Sequence, residues 1–252
     1  MAPAAAAAPL PRFSRIRSAF KTMAERLGPR MGIGLLAAVI VTVLFGALAS
    51  EVHEGETQHL DDAIRMTVYG VASPRATTVL HTITQLGSPL FLLPMTIVSS
   101  LIFLHQRRIR GAILLTATMV GVSLLNWILK SVFQRPRPLP FFGLTVPASY
   151  SFPSGHSLAA FCFYGALAAL VTARLRSTFW SALVWAAAVV IIIAVGFSRL
   201  YLGLHYPSDI IGGYATGFVW VLTVASADRV FRRADERGSK AAVAEPPPGG
   251  PA

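Results

Sequence analysis

Residues 111–138 read GAILLTATMVGVSLLNWILKSVFQRPRP. The nineteen residues from Gly111 to Leu129 carry no charge, and then Lys130, Arg135 and Arg137 follow within eight positions. A helix needs about 20 predominantly apolar residues to cross the hydrocarbon core of a bilayer, and charges inside that core are costly. The stretch therefore reads as a membrane-spanning helix that stops at a cationic cluster. Comparable apolar runs lie at about 31–50, 88–105, 157–173, 178–197 and 210–227. The run at 88–105 is the weakest of them, because Ser88, Pro89 and Pro94 interrupt it.

Composition agrees with six crossings. Of 252 residues, 54% are hydrophobic and 13% charged, against about 25% charged in a soluble domain, and the mean hydropathy is +0.60. The expected fold is an all-α membrane protein, a bundle of about six transmembrane helices. One membrane domain, 31–227, stands between a basic tail at 1–30 and a second tail at 228–252 that is basic and then Pro/Gly-rich. Residues 2–9 and 241–252 are expected to be disordered on composition. Ala47-Leu48-Ala49 fits a small-residue cleavage pattern, but the preceding apolar run is long for a signal peptide, and it reads as the first span. Cys162 is the one cysteine and sits in an apolar run, so it reads as a packing residue; no disulfide framework or cysteine metal site is open to the chain.

The net charge of +11 does not read as a nucleic-acid footprint, because of where the charge lies. With the N-terminus placed in the cytoplasm, sixteen of the 22 basic residues fall on cytoplasmic stretches: the N-terminal tail, Arg107 to Arg110, Arg174 and Arg176, and Arg229 to Lys240. Cytoplasmic loops carry such an excess of Lys and Arg. The expectation is a multi-pass plasma (inner) membrane protein with both termini cytoplasmic and affinity for anionic headgroups. Between the first two runs, residues 51–87 begin acidic and then place Leu60, Ile64, Val68 and Val71 at helical spacing. That pattern predicts an interfacial helix on the outer surface with those residues as its apolar face. His53, His59 and His81 have no Cys or carboxylate partner at ligand spacing and read as surface or packing residues.

The same orientation brings three polar clusters to the outer face: Lys130 to Pro138, Pro153-Ser154-Gly155-His156, and Ser198-Arg199 with His205 and Asp209. Each has an ordinary reading when taken alone. Lys130 to Arg137 could be a snorkelling juxtamembrane run, Pro153 to His156 a turn, and Asp209 an acid at a helix N-terminus. Their joint placement at one end is what reads as a site. Phosphoryl transfer spreads charge over three oxygens and is catalysed by positioned cations and N–H donors. Arg137 and Arg199 can grip two oxygens each, and Lys130 adds a point charge. Gly155 lets backbone approach closely, Ser154 offers a hydroxyl, and His156 stands at a helix N-terminus that favours an anion. Asp209, about one turn past His205, can accept its Nδ1–H and leave the other nitrogen unprotonated. One histidine then attacks phosphorus and the other protonates the departing oxygen.

These residues carry a resemblance. Lys130 to Arg137-Pro138 fits K-x6-R-P, Pro153 to His156 fits P-S-G-H, and Ser198-Arg199 to His205 to Asp209 fits S-R-x5-H-x3-D. The chain resembles the type 2 phosphatidic acid phosphatase superfamily, which includes vanadium haloperoxidases and bacterial acid phosphatases, over about residues 60–227. The resemblance implies His205 as the nucleophile that forms a phosphohistidine, Asp209 as its orienter and His156 as the general acid. It implies Lys130, Arg137, Ser154, Gly155 and Arg199 as phosphate ligands, and catalysis without metal or other cofactor. The expected partner is a lipid phosphate in the outer leaflet of the bilayer, with no nucleic acid. Two substrate classes compete: glycerolipid phosphates (phosphatidic acid or phosphatidylglycerophosphate) and polyprenyl diphosphates such as undecaprenyl diphosphate. Leu139, Phe141, Phe142, Leu144 and Tyr150 could line access for either chain. A non-catalytic lipid-binding relative should lack motif residues, and here none is missing. A transporter should place charges in mid-span, whereas here they stand at the ends.

Overall fold

The computed structural model describes residues 29–244, with side chains described over 32–232. The expectations for residues 1–28 and 245–252 lie outside the described residues. The fold is entirely helical there: α1 (Pro29–Glu54), α2 (Gln58–Gly70), α3 (Pro74–Gln85), α4 (Pro89–His105), α5 (Ile109–Phe133), α6 (Gly155–Thr172), α7 (Thr178–Tyr201) and α8 (Pro207–Ala244). Five helices are long and apolar enough to cross a membrane, and α3 with α4, bent by 46° at Leu86 to Ser88, reach that length and hydropathy only together, as a broken span or a re-entrant pair. The bend has a local cause. Ser88 caps α4 by accepting the Phe91 N–H, and Pro89 occupies its first turn, where a missing N–H costs nothing. The same Ser88 and Pro89 that weaken the apolar run in sequence thus begin a helix.

The apolar residues divide by what they face. Along α1, Ile33, Leu36, Val43 and Leu44 are exposed, as a lipid-facing helix requires. In the centre, α6 packs against α4, α5, α7 and α8, burying Leu158, Ala160, Cys162, Phe163 and Ala166. Small residues let α6 and α8 approach closely: a Cβ at Gly213 would stand 2.7 Å from the Ser154 carbonyl oxygen. That contact holds the start of α6 against the start of α8, and it matters for what lies there. Cys162 is buried, as a packing residue should be.

Two expectations change. Residues 58–85 form two helices, and α2 is mixed in what it buries: Leu60 is exposed, as is Val71 just past the helix, Ile64 and Val68 are half-buried with Val68 packed on Tyr201 and Leu202, and Asp61 and Arg65 are buried. Buried charge is tolerated where it is paired, and both residues find partners on other elements. At the other end, α8 continues past 227 to Ala244, carried by Ala-, Arg- and Glu-containing sequence with no proline to stop it. His53, His59 and His81 are exposed.

Candidate active site

All three motif clusters meet at one end of the bundle, where α5 and α7 finish and α6 and α8 begin. After α5, Gln134 adopts a left-handed conformation (φ 44°) that turns the chain out of the helix. The loop that follows is pinned on both sides: Ser151 N donates to Arg135 O at 2.9 Å, and Phe141 N to Leu202 O at 3.1 Å. Phe141 stacks on Tyr69 at 4.4 Å and Phe142 on Tyr201 at 5.5 Å. Between α7 and α8 the turn passes through Gly203 at φ +70°, where a Cβ would strike the Phe141 backbone nitrogen at 2.8 Å. This turn delivers His205.

His205 and Asp209 are 1% and 0% exposed. His205 Nδ1 lies 3.1 Å from Asp209 Oδ2, and Arg137 Nη1 lies 3.1 Å from His205 Nε2. A guanidinium can only donate, so Nε2 is the accepting nitrogen and the proton sits on Nδ1, bonded to Asp209. Ser151 Oγ (2.5 Å) and Tyr206 N (2.9 Å) also donate to Asp209 Oδ2. Burial pushes the His205 imidazole down from its ordinary value to about 3, against the raising influence of Asp209. His205 is therefore a neutral base with a fixed tautomer and an outward lone pair.

That lone pair faces a cavity of about 250 Å³ lined by Lys130, Arg137, Gly155, His156, Arg199 and His205, together with Asn126 and Ser149. Arg137 is braced by backbone: its Nε donates to Ser149 O at 2.6 Å and its Nη1 to Leu204 O at 2.9 Å. Burial lowers the Arg137 guanidinium from its usual value, with Asp209 opposing. Arg199 is held by Thr84 Oγ1 at 3.0 Å, and Lys130 Nζ donates to the Tyr150 carbonyl. No ion pair among the described residues involves Lys130, Arg137 or Arg199. Three cations without a carboxylate partner around a small cavity make a receptor for a multiply charged anion.

Six of the eight candidate site residues thus line one cavity. The other two stand behind it. Asp209 is fully buried beneath His205, and Ser154 caps α6, its Oγ accepting from Ser157 N (3.5 Å) and Ser157 Oγ (3.0 Å). Phe141, Phe142 and Leu144 pack on Tyr69 and Tyr201, and Leu139 is exposed. None of these lines the cavity, which takes Pro147 and Ser149 from that loop instead.

Sequence reasoning missed several residues. Asn126, one turn before Lys130, lines the cavity with its buried Oδ1 lacking a hydrogen-bond partner; its i, i+4 spacing from Lys130 was the available signal. Arg135, read as part of a charge run, is 7% exposed and bridges Asp209 (2.8 Å) and Asp61 (2.7 Å). Ser151, Ser208 and Asp61 had no sequence signal, because the side-chain contacts that tie them to the site span 54 to 147 residues.

Comparison with known proteins adds an independent line. Residues 111–233 match the PAP2 superfamily. The chain is 33% identical over 196 residues to phosphatidylglycerophosphatase B of Bacillus subtilis (strain 168), covering 77% of this chain and 96% of that protein. It is 31% identical over 125 residues to an undecaprenyl-diphosphatase of Sulfolobus acidocaldarius, covering 48% and 56%. Among solved structures, a transmembrane PAP2 type phosphatidylglycerolphosphate phosphatase from Bacillus subtilis superposes with a TM-score of 0.70 at 32% identity, covering 76% of this chain and 96% of that one.

Proposed function

The chain belongs to the PAP2 superfamily of membrane phosphatases, and within it we propose a metal-independent lipid phosphate monoesterase that works through a phosphohistidine on His205. The observation that carries this reading is the neutral, Asp209-oriented His205 facing a cavity ringed by three cations that have no carboxylate partner. The phosphate binds between Arg137, Arg199 and Lys130, with the start of α6 at Gly155 adding N–H groups and the helix dipole. On binding, Arg137 exchanges its contact with Nε2 for a phosphate oxygen. The Nε2 lone pair then forms the N–P bond as the P–O bond to the lipid breaks, while Asp209 stabilises the charge that develops on the imidazole. His156 gives its proton to the departing oxygen. It next takes a proton from water, whose oxygen attacks phosphorus and releases inorganic phosphate and neutral His205.

The preferred substrate class is a glycerolipid phosphate of the phosphatidylglycerophosphate kind, since the similarity to that phosphatase extends over 96% of its length. A second cavity of about 430 Å³ supports an apolar anchor: it is lined by Leu92, Leu93, Ile97 and Met119 and shares Pro89, Val122, Ser123 and Ala159 with the charged one. A polyprenyl diphosphate is the second reading, favoured by the shorter similarity to an undecaprenyl-diphosphatase. The charge distribution supports a site on the outer or periplasmic face and cytoplasmic termini. Leu139 is 80% exposed in the α5–α6 loop. Leu139→Cys in a Cys162→Ser background should react with an impermeant maleimide on intact cells, and reaction only after membrane disruption contradicts that orientation. For activity, purified protein in detergent with EDTA should release phosphate from phosphatidylglycerophosphate, phosphatidic acid and undecaprenyl diphosphate, fastest from the first. Activity that returns only with added magnesium contradicts the mechanism.

A further inference from the structure

Asp61 lies on α2, outside all three motifs, and it is 3% exposed. Its Oδ2 accepts from Arg135 Nη2 (2.7 Å) and Ser208 Oγ (2.6 Å), and its Oδ1 accepts from the Ser208 backbone nitrogen (3.0 Å). Ser208 is the second residue of α8, so a carboxylate from another helix satisfies one of the N–H groups that a helix start leaves unpaired. Arg135 carries the connection onward. Its Nη1 donates to Ser208 Oγ (2.7 Å) and Asp209 Oδ1 (2.8 Å), and its guanidinium lies 4.1 Å from the centre of the Tyr206 ring. Asp209 uses its other oxygen for His205. One path of short contacts thus joins α2 to the nucleophile: Asp61, Arg135 with Ser208, Asp209, His205.

We propose that Asp61 is a positioning residue for catalysis, acting through Arg135 and Ser208 to set the geometry and charge of Asp209. The proposal rests on the reading of His205 as nucleophile. Two consequences follow from the contacts. Geometrically, Asp61 fixes the first turn of α8, on which Asp209 rides. Electrostatically, it divides the Arg135 charge between two carboxylates. Without that second carboxylate, the guanidinium would draw more strongly on Asp209 and weaken its support of the imidazolium-like charge on His205 during attack. Asp61 is absent from the cavity lining, and its contacts are with the two supporting residues. Its influence should therefore fall on kcat and leave KM nearly alone.

Asp61→Asn is the variant of choice. It keeps the shape, but two donors converge on Oδ2 and one on Oδ1, so an amide can satisfy only one side and must turn its NH₂ toward donors on the other. Kinetics on a phosphatidylglycerophosphate substrate would be measured for Asp61→Asn, Asp209→Asn and the double variant. The expected result is a fall in kcat of about 10- to 100-fold for Asp61→Asn with KM within threefold, and less than about a threefold further loss when it is added to Asp209→Asn, since residues that act as a unit are non-additive. A wild-type kcat for Asp61→Asn, or the same fold-loss in both backgrounds, overturns the proposal. A wild-type kcat for Asp209→Asn itself overturns the nucleophile reading, and the proposal with it. Should Asp61→Asn fail to fold, Ser208→Ala removes one arm of the clamp. It should lower kcat by about three- to tenfold in the wild type and by less than twofold beside Asp209→Asn, and equal losses in the two backgrounds would again overturn the idea.

Discussion

Arg135 and Arg137 stand two residues apart in one loop, with opposite surroundings. Arg135 meets two buried carboxylates, Asp61 and Asp209, and a serine hydroxyl, so its charge is matched inside the protein. Arg137 meets the Ser149 and Leu204 carbonyls and the lone pair of His205, and it faces the cavity. The first is structural charge; the second is charge held ready for a ligand. Adjacent guanidiniums therefore take different roles according to whether the fold supplies an anion or leaves that to the substrate. The same division separates Asp61, Ser151, Ser208 and Asp209 behind His205 from Lys130, His156 and Arg199 in front of it.

The largest expected effect lies at the boundary between these two regions. His205→Ala removes the attacking nitrogen and should lower phosphate release by at least about 10³-fold on every substrate, whatever its leaving group. Turnover near the wild-type rate would dissolve the division altogether.

Substituting the two arginines tests it next. Arg137→Gln should cost about 10²–10³-fold in activity, the usual size for a lost transition-state donor, while thermal unfolding in detergent stays close to wild type. Arg135→Gln leaves Asp61 and Asp209 buried without their cation and should destabilise by about 3–5 kcal/mol, visible as an early unfolding transition. If both variants lose activity and stability alike, the contrast drawn above is wrong.

His156→Ala separates the cavity-side histidine from His205. General acid catalysis contributes roughly 10²–10⁴-fold, so in the first turnover, before hydrolysis of the phosphoenzyme limits the rate, the variant should release the alcohol of an alkyl phosphate slowly and p-nitrophenol with much less loss, since that departing oxygen needs no proton. Equal losses on the two substrates would remove the acid role.

The smallest effect concerns pH. His205 has an ordinary value near 6.5 and about 3 in the fold, through burial. Its folded value is the lower one, so the stability linked to keeping it neutral is fully present above pH 6.5 and is lost as pH falls from there toward 3. For the same reason His205 supplies no acid limb near 6.5 to kcat/KM measured with p-nitrophenyl phosphate, once the ionisation of the substrate is allowed for. A limb at that pH that survives the correction would mean that His205 is not held neutral.

The cavity-side half of the site was legible in sequence, while of the buried half only Asp209 and Ser154 were, for a physical reason. Lys130, Arg137, Pro153 to His156, Arg199 and His205 cluster at the ends of apolar runs, where charge is conspicuous and chain direction alone brings the clusters together. Arg135 was visible too, but nothing local distinguishes a cation that faces a ligand from one that faces Asp61, 74 residues away. The spacing of Leu60, Ile64, Val68 and Val71 marked α2 as amphipathic without saying which residues it buries, because an apolar face can turn to lipid as readily as to a core. What turns α2 is the paired burial of Asp61 and Arg65, the latter donating to the Leu139 carbonyl at 2.9 Å. Ser154 was read as a phosphate donor from its motif; its oxygen also caps α6, a role that reading did not single out.

The central claim is that Nε2 of His205 becomes covalently bonded to phosphorus. In His156→Ala the base for the second step is missing, so the phosphoenzyme should accumulate when p-nitrophenyl phosphate, with its good leaving group, drives the first. Rapid quenching into alkali followed by peptide mapping should then find an alkali-stable, acid-labile phosphoryl group on Nε2 of His205, approaching one per chain and absent from His205→Ala. A phosphoryl group on any other residue, or continued turnover with none trapped on His205, would contradict the account.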